Sequence, residues 1–345
     1  MFFLFAYSSK LCVREKGSLL VFICFGLVLN LSIQSVSADE KDIKSPSSLK
    51  VEQVASPLPK VIKRPEMQAP KYSVDTTCRK IARKLGSVKL DDCKGKDFRA
   101  TGGVSVEGSP IIYKEYPPVG QREPIGRVLM IGGIHGDEYS SISIMFNWMR
   151  TLNKHHSGLF HWRIVPLMNP DGLLRKKPQR MNANGVDLNR NFPTPNWKAE
   201  SEKYWVQRTQ RNPRRYPGQL PLSEPESQWL AHEIETFKPD VIVAVHAPYG
   251  ILDFDGPRQE APKRLGHLHL NVLGTYPGSL GNYAGIQKEI PVVTIELPYA
   301  GIMPTAAQIS SIWTDLVGWL RNNMNRKNSA SNVLQVKNVA HTDPS

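Results

Sequence analysis

Cysteine is scarce in this chain, with four among 345 residues. Cys12 and Cys24 fall in an apolar N-terminal segment, which leaves Cys78 and Cys93 for everything that follows. Two thiolates alone do not make a closed structural zinc site, which takes four protein ligands. Acidic residues are also short in number, 31 against 44 Lys and Arg, for a formal net charge of +13. That balance favours an anionic partner or surface. No helix-turn-helix pattern or base-stacking motif accompanies the charge, so no nucleic-acid partner is expected. Cell wall and anionic envelope surfaces fit the same charge. No internal repeat is visible, which excludes a repeat architecture. The hydrophobic and charged fractions, 40% and 22%, are ordinary for a globular protein.

The N-terminus reads as an export signal over residues 1–38. Lys10, Arg14 and Lys16 precede an apolar run from Leu19 to about Leu31, and Val36-Ser37-Ala38 places small residues at the cleavage positions. The run is short for a bilayer span and Asn30 interrupts it. The expectation is therefore cleavage after Ala38, no stable membrane insertion afterwards, and a periplasmic or secreted protein. An uncleaved membrane anchor is the alternative. Residues 39–70, with Pro57, Pro59, Pro65 and Pro70 among Lys, Ser and Glu, read as a disordered linker. Residues 71–100 form a small basic extension in which Cys78 to Leu85 has weak helical spacing. Export would place Cys78 and Cys93 where disulfides persist. Because both flank one short segment, a bridge between them is expected; two unrelated thiols are the alternative.

From residue 101 to about 325 apolar runs alternate with amphipathic stretches. Arg127 to Ile131 is a strand candidate ending at Gly132-Gly133, and Glu138 to Leu152 has the periodicity of a helix, with Ile142, Met145, Phe146 and Met149 on one face. Trp162 to Met168 reads as a strand. Ser223 is the expected N-cap of a helix running to Phe237, with Pro225 in its first turn and Glu226 three residues on. Val241 to Val245 is an apolar strand that delivers His246. Val292 to Leu297 is a strand that carries Glu296, and Pro304 to Leu320 is a closing helix. Residues 326–345 are polar and read as a flexible tail. Strands alternating with helices predict an α/β fold, a mixed and largely parallel sheet covered by helices on both faces. In such sheets the functional residues lie beyond the carboxyl ends of the strands.

Four short segments fit that rule and share one chemistry. His135-Gly136-Asp137-Glu138 pairs an imidazole with a carboxylate three residues later, and His246 supplies a second imidazole. Two imidazoles and one carboxylate are the three-ligand set of a catalytic zinc site, which keeps one position open. Taken alone, His-x-x-Glu is as well read as a surface His beside a helix-capping Glu, and a lone His as a structural one; the set gives each its meaning. Asn189 and Arg190 offer an amide and a guanidinium fork for a terminal carboxylate. Arg180 is the candidate cation beside an oxyanion, with Arg175 as its rival. Glu296, in the apolar run Val292 to Leu297, is costly there without a partner or a task, and beside a zinc site it suits proton transfer. Tyr276 is equally a substrate-facing hydroxyl or a packing residue. Asp187 reads as a loop support. Arg208, Arg211, Arg214 and Arg215 read as a solvated loop, or as a surface that meets an anionic polymer. Together these groups point to metal-assisted hydrolysis at a peptide end.

Several of these motifs resemble those of the M14 zinc carboxypeptidases, and within them the murein peptide amidase A branch. The resemblance rests on His135 to Glu138, Asn169-Pro170-Asp171-Gly172, the stretch Arg180 to Pro193, Ser223 to Glu226, His246, Pro277-Gly278-Ser279 and Thr294-Ile295-Glu296. It implies a zinc carboxypeptidase-like (phosphorylase/hydrolase-like) fold and one Zn2+ held by His135, Glu138 and His246. It also implies Glu296 as general base and acid, Arg180 at the oxyanion, and Asn189 and Arg190 on the substrate carboxylate. The implied substrate is a murein peptide cut at its γ-D-glutamyl–meso-diaminopimelate bond. The branch's recycling role is usually cytoplasmic, whereas this chain reads as exported, and Tyr276 does not align cleanly with the family's tyrosine. Three other readings remain open from the sequence: a carboxypeptidase releasing ordinary C-terminal residues, a zinc deacylase of small N-acyl amino acids, and a noncatalytic wall-binding protein.

Overall fold

The structure, a computed structural model, describes residues 69–93, 98–121, 123–257 and 261–339. The expected export signal, and the expected linker up to residue 68, lie outside the described residues. The strands are β1 (Phe98–Val104), β2 (Pro110–Tyr116), β3 (Arg127–Ile131), β4 (His161–Val165), β5 (Val241–His246), β6 (Ile251–Asp255), β7 (Arg264–Leu265), β8 (Leu268–His269) and β9 (Val292–Glu296). The helices are α1 (Val74–Lys84), α2 (Tyr139–His155), α3 (Pro170–Leu174), α4 (Trp197–Lys203), α5 (Pro225–Phe237) and α6 (Ala306–Val339). No described helix is long and apolar enough to cross a membrane.

Seven strands form one sheet in the order β1-β2-β4-β3-β5-β9-β6, and β7 and β8 make a separate small pair. The four central strands β4, β3, β5 and β9 run parallel, while β1, β2 and β6 join antiparallel at the edges. Parallel strands need both faces covered, and β5 shows it: all six residues of Val-Ile-Val-Ala-Val-His are buried. Alternation along β3 divides the core in two. Val128 and Met130 join Ile142, Met145 and Phe146 of α2 and Ile312, Leu316 and Leu320 of α6 on one face. Leu129 and Ile131 meet Trp229, Leu230, Ile234 and Phe237 of α5 on the other. This is the expected α/β class.

The extension is part of the first core. Ile81 of α1 and Leu85 at its C-cap pack into it, and Cys78 is bridged to Cys93 across 15 residues of sequence. Arg150 on α2 grips Asp92 with Nε and Nη2, both at 2.7 Å, which ties the bridged turn to the domain.

Three local expectations are corrected. Glu224, not Ser223, stands at the N-cap of α5 and Pro225 at its first position, while Ser223 Oγ donates to Glu224 Oε1 at 2.8 Å. Glu226 does not complete a capping box there, because its carboxyl is buried and receives Asn182 Nδ2 at 3.1 Å and Val106 N at 3.3 Å. The strand expected to reach Met168 stops at Val165. Beyond it Met168 N and Asn169 N donate to the carbonyls of Gly132 and Gly133, at 3.0 and 2.9 Å, instead of continuing a ladder. Helix α6 starts later and runs longer than Pro304 to Leu320. Thr305 and Gln308 cap each other reciprocally, Thr305 N to Oε1 at 2.9 Å and Gln308 N to Oγ1 at 3.3 Å, so the helix begins at Ala306.

Candidate active site

Strand β3 pairs in parallel with β4 on one side and β5 on the other. The chain therefore leaves β3 in one direction and returns in the other, which opens a crevice beyond the carboxyl ends of these strands. His135 lies in the turn after β3, and His246 ends β5. Glu296 ends β9 and is the register partner of His246. The cavity at this place has a volume of about 490 Å³, lined by His135, Glu138, Arg180, Asn189, Arg190, His246, Tyr276 and Glu296 among others. All eight residues singled out in the sequence thus come to one cavity.

The turn carrying His135 and Glu138 is held by close backbone packing. A Cβ on Gly136 would lie 2.2 Å from the carbonyl carbon of Gly172, so only glycine fits there. Asn169 caps α3 by accepting Gly172 N at 2.8 Å, and its Nδ2 donates to Arg180 O at 3.0 Å and Ile134 O at 3.4 Å. One amide thus joins the His135 turn to the Arg180 segment. Glu138 occupies the N-cap of α2 but makes no side-chain cap bond. Its carboxylate turns instead to the imidazoles.

His135 Nδ1 is 2.7 Å from Glu138 Oε1, and His246 Nδ1 is 3.1 Å from Glu138 Oε2. The two Nδ1 atoms lie 3.2 Å apart, and both rings are buried. Among the described residues this is the one cluster of three such groups whose ligand atoms all lie within 4.8 Å of one another. Ligands at the usual Zn–N distance of roughly 2.0–2.1 Å in a tetrahedron stand about 3.3 Å apart, so the spacing fits that ion. Burial opposes ionisation of Glu138, but His135 and His246 hold its carboxyl far below the usual range. His246 is raised: burial disfavours the imidazolium, and Glu138 outweighs it.

Asp187 does more than support its loop. It caps the 3-10 turn Leu188–Arg190 through Asn189 N, and its Oδ1 also faces His135 Nε2 at 3.1 Å. Its Oδ2 accepts Arg180 Nε at 2.9 Å. A carboxylate on the far ring nitrogen fixes the tautomer that leaves Nδ1 free as a ligand. Burial works against this charge, but Arg180 and His135 hold Asp187 well below its ordinary pKa. Arg180 Nη1 lies 3.1 Å from His135 Nδ1, so Arg180 is the cation at the cluster. Its rival Arg175 lines a different cleft, with Tyr72, Lys80 and Lys84.

Arg190 is buried, donates Nη1 to Asn189 O at 2.6 Å, and leaves Nε without a partner. Its guanidinium lies 4.4 Å from the Tyr276 ring centroid and 5.9 Å from that of Tyr204. Burial lowers its pKa, and nearby Arg180 and Arg215 add to the effect against Asp187. A guanidinium so poorly paired in a cavity calls for an anion. Its backbone is fixed from two sides: Trp197 Nε1 donates to Arg190 O at 3.0 Å, and a Cβ on Gly278 would fall 1.9 Å from that oxygen. Asn189 Oδ1 accepts Leu280 N at 2.8 Å, which fixes its amide at the cavity wall.

Glu296 is 7% exposed, and its Oε2 has no hydrogen-bond partner. Burial pushes its pKa up to about 7; His246 opposes the rise and Glu138 adds to it. Tyr276 is partly buried against Arg190 and stacks edge-on with Tyr204 at 5.4 Å, so it both packs and lines the cavity. Arg214, paired with Asp137 at 2.8 Å, and Arg215, 3.9 Å from Asp187, belong to the basic loop expected from the sequence and also line the cavity. Other residues lining the cavity escaped the sequence reading. Tyr204, Tyr249, Asp253 and Asp255 also line it. None of these carries a local motif; strand alternation within Ile251 to Asp255 was the one available signal for the last two.

A family model described as zinc carboxypeptidase matches residues 99–252. The chain is 34% identical over 203 residues to murein peptide amidase A of Vibrio campbellii, covering 57% of this chain and 77% of the relative. It is 33% identical over 207 residues to murein peptide amidase A of Escherichia coli K12, covering 57% and 79%. Carboxypeptidase A from Helicoverpa armigera superposes with a TM-score of 0.53 at 18% identity over 73% of this chain and 72% of that one, which is a likeness of fold.

Proposed function

The chain belongs to the zinc carboxypeptidase family and is a metallopeptidase; from that premise we propose that it cleaves the γ-D-glutamyl–meso-diaminopimelate bond of murein peptides. The observation that carries the reading is the underpaired, buried guanidinium of Arg190 beside the His135–Glu138–His246 cluster, in relatives of murein peptide amidases. His135, Glu138 and His246 would hold zinc. When bound, zinc supplies Lewis-acid polarisation of the scissile carbonyl and of a water molecule.

The other steps belong to the protein. Arg190 and Asn189 receive the carboxylate of the residue to be released, with Tyr276 against the guanidinium. Arg180, held by Asp187, donates to the oxygen on which negative charge develops. Glu296 accepts a proton from the attacking water at its unpartnered Oε2 and returns it to the leaving amine. A carboxyl with a pKa near 7 suits both transfers. The signal-like residues 1–38 support an exported enzyme that works on wall peptides, and the excess of 13 positive charges favours an anionic polymer.

The test compares L-Ala-γ-D-Glu-meso-diaminopimelate with ordinary peptides ending in Lys, Phe or Leu, with products identified by mass spectrometry. Release of diaminopimelate should dominate by kcat/KM. Equal cleavage of an ordinary peptide would replace this reading with a general carboxypeptidase.

A further inference from the structure

A second cleft lies beside α1, with a volume of about 350 Å³, and it shares no lining residue with the catalytic cavity. Cys78, Ile81 and Ala82 turn one face of α1 into the core. Lys80, Arg83 and Lys84 recur at three- and four-residue steps on another face, and all three line the cleft. Arg175, the C-cap of α3, adds a fourth cation. Lys84 Nζ donates to the carbonyls of Arg175 and Lys176 at 2.8 and 3.3 Å, which ties α1 to this segment.

The carboxylates at hand do not neutralise this set. Asp171 is buried and accepts Ser105 Oγ at 2.6 Å and Glu107 N at 2.9 Å. Glu107 lines the cleft without an ion pair, and the guanidinium groups of Arg83 and Arg175 have no partner among the described residues. Like charges three and four residues apart on a helix repel, so an anion in the cleft relieves what the protein leaves uncompensated. Lys80 Nζ sits 3.1 Å from the centroid of the Tyr72 ring. An ammonium thus covers a face of the aromatic ring that lines the cleft, which argues against a stacked nucleobase.

The sheet fixes where this cleft stands. The turn between β1 and β2 carries Glu107 and Ser109. Strand β2 runs antiparallel to β4, so its start stands at the carboxyl end of β4, the end at which the chain leaves β3 and β5 for His135 and His246. Three strand spacings of roughly 4.8 Å separate β2 from β5, which puts the cleft about 14 Å along the same rim from His246. Helix α3 stands between: Gly172 abuts the His135 turn at Gly136, while Asp171 and Leu174 line the cleft. One extended ligand can reach both.

We propose that the cleft between α1 and α3 binds a phosphate group carried on carbohydrate, and so docks the enzyme on phosphorylated glycan. A phosphate ester brings about two negative charges and three acceptor oxygens, enough for the two free guanidinium forks together. A carboxylate has one charge and two oxygens, and serves one fork. Leu174 offers an apolar surface and Ser109 a hydroxyl in a cleft with room for a sugar ring beyond the phosphate. The site holds whichever bond the catalytic cavity cleaves.

Calorimetry on the zinc-loaded full chain tests this with glucose 1-phosphate, glucuronate and inorganic phosphate. Glucose 1-phosphate should bind at least about tenfold tighter than either of the others, since one lacks the second charge and the other the ring. Arg83→Ala combined with Arg175→Ala should weaken it by at least about tenfold. Both side chains are exposed, so the fold does not depend on them. Equal binding of glucuronate would overturn the phosphate assignment, and equal binding of inorganic phosphate the carbohydrate. Affinity unchanged in the double variant would place the anion elsewhere and overturn the site. A single-stranded oligonucleotide that binds tighter than glucose 1-phosphate, and is released by the same two substitutions, would make nucleic acid the occupant instead. The readout is binding without hydrolysis, so a failure to cleave murein peptide removes the bond assignment and leaves this cleft standing.

Discussion

His246 and Glu296 are register partners on the adjacent parallel strands β5 and β9. Their side chains therefore emerge from the same end and face of the sheet, one toward the cluster with His135 and Glu138, the other beside it with Oε2 unpartnered. Ligand and base are held by one ladder, so their spacing follows from the sheet and not from a loop.

The metal prediction follows directly. The protein should bind zinc at about one ion per chain, and His246→Ala should lose it, because two remaining ligands do not make a three-ligand site. Metal analysis after dialysis reads this out. Full zinc occupancy in the variant would remove His246 from the ligand set.

Glu296→Gln keeps the shape of the side chain and removes its base. Bound zinc should be retained, with turnover reduced by at least ~100-fold. Near-normal turnover in a metal-replete sample would assign the proton transfers elsewhere.

Asp187→Asn tests the residue behind the ligand. An amide can present its NH2 to His135 Nε2 and so lose the tautomer that Asp187 Oδ1 enforces at 3.1 Å. Zinc affinity should fall by roughly 10–100-fold, as measured by competition with a chelator. Unchanged affinity would reduce Asp187 to a support for its loop.

Glu226 should make stability pH-dependent. Burial pushes its carboxyl from an ordinary 4.5 to about 8, with Asp171 adding to the rise against its own backbone N–H, Asn182 and Val106 N. Between those values the folded protein keeps a proton that the unfolded chain releases, so this group's contribution is present below about 4.5 and is lost as pH rises toward 8. Glu226→Gln cannot titrate. Denaturant titrations should show the unaltered protein losing stability relative to the variant from pH 5 to pH 8, by an amount on the order of a few kcal/mol. A constant difference across that range would contradict the shift.

The bridge between Cys78 and Cys93 closes a loop of 15 residues. Replacing both with Ser should lower stability by up to roughly 3 kcal/mol in the chain-entropy model. Thermal unfolding under nonreducing conditions checks it, and an unchanged midpoint would mean that the packing of Ile81 and Leu85 and the Arg150–Asp92 pair already hold the extension.

The sequence by itself determined what depends on short windows. Ile142, Met145, Phe146 and Met149 mark a helix because three- and four-residue steps return to one face, and Val241 to Val245 marks a buried strand because nothing in it suits water. His135, Glu138, His246 and Glu296 could be named because their chemistry is rare at strand ends, and the stretch Arg180 to Pro193 because its motif is dense. Only the tertiary structure chose Arg180 over Arg175, which is five residues away in sequence but lines another cleft. It alone gave Asp187 its place behind His135, moved the cap of α5 from Ser223 to Glu224, and brought Arg214, Arg215, Asp253 and Asp255 to the cavity. The physical reason is common to all of these. Periodicity and turn chemistry act between near neighbours, whereas the partner of a buried charge is set by which strands pair and in what register, and that is a property of the whole sheet.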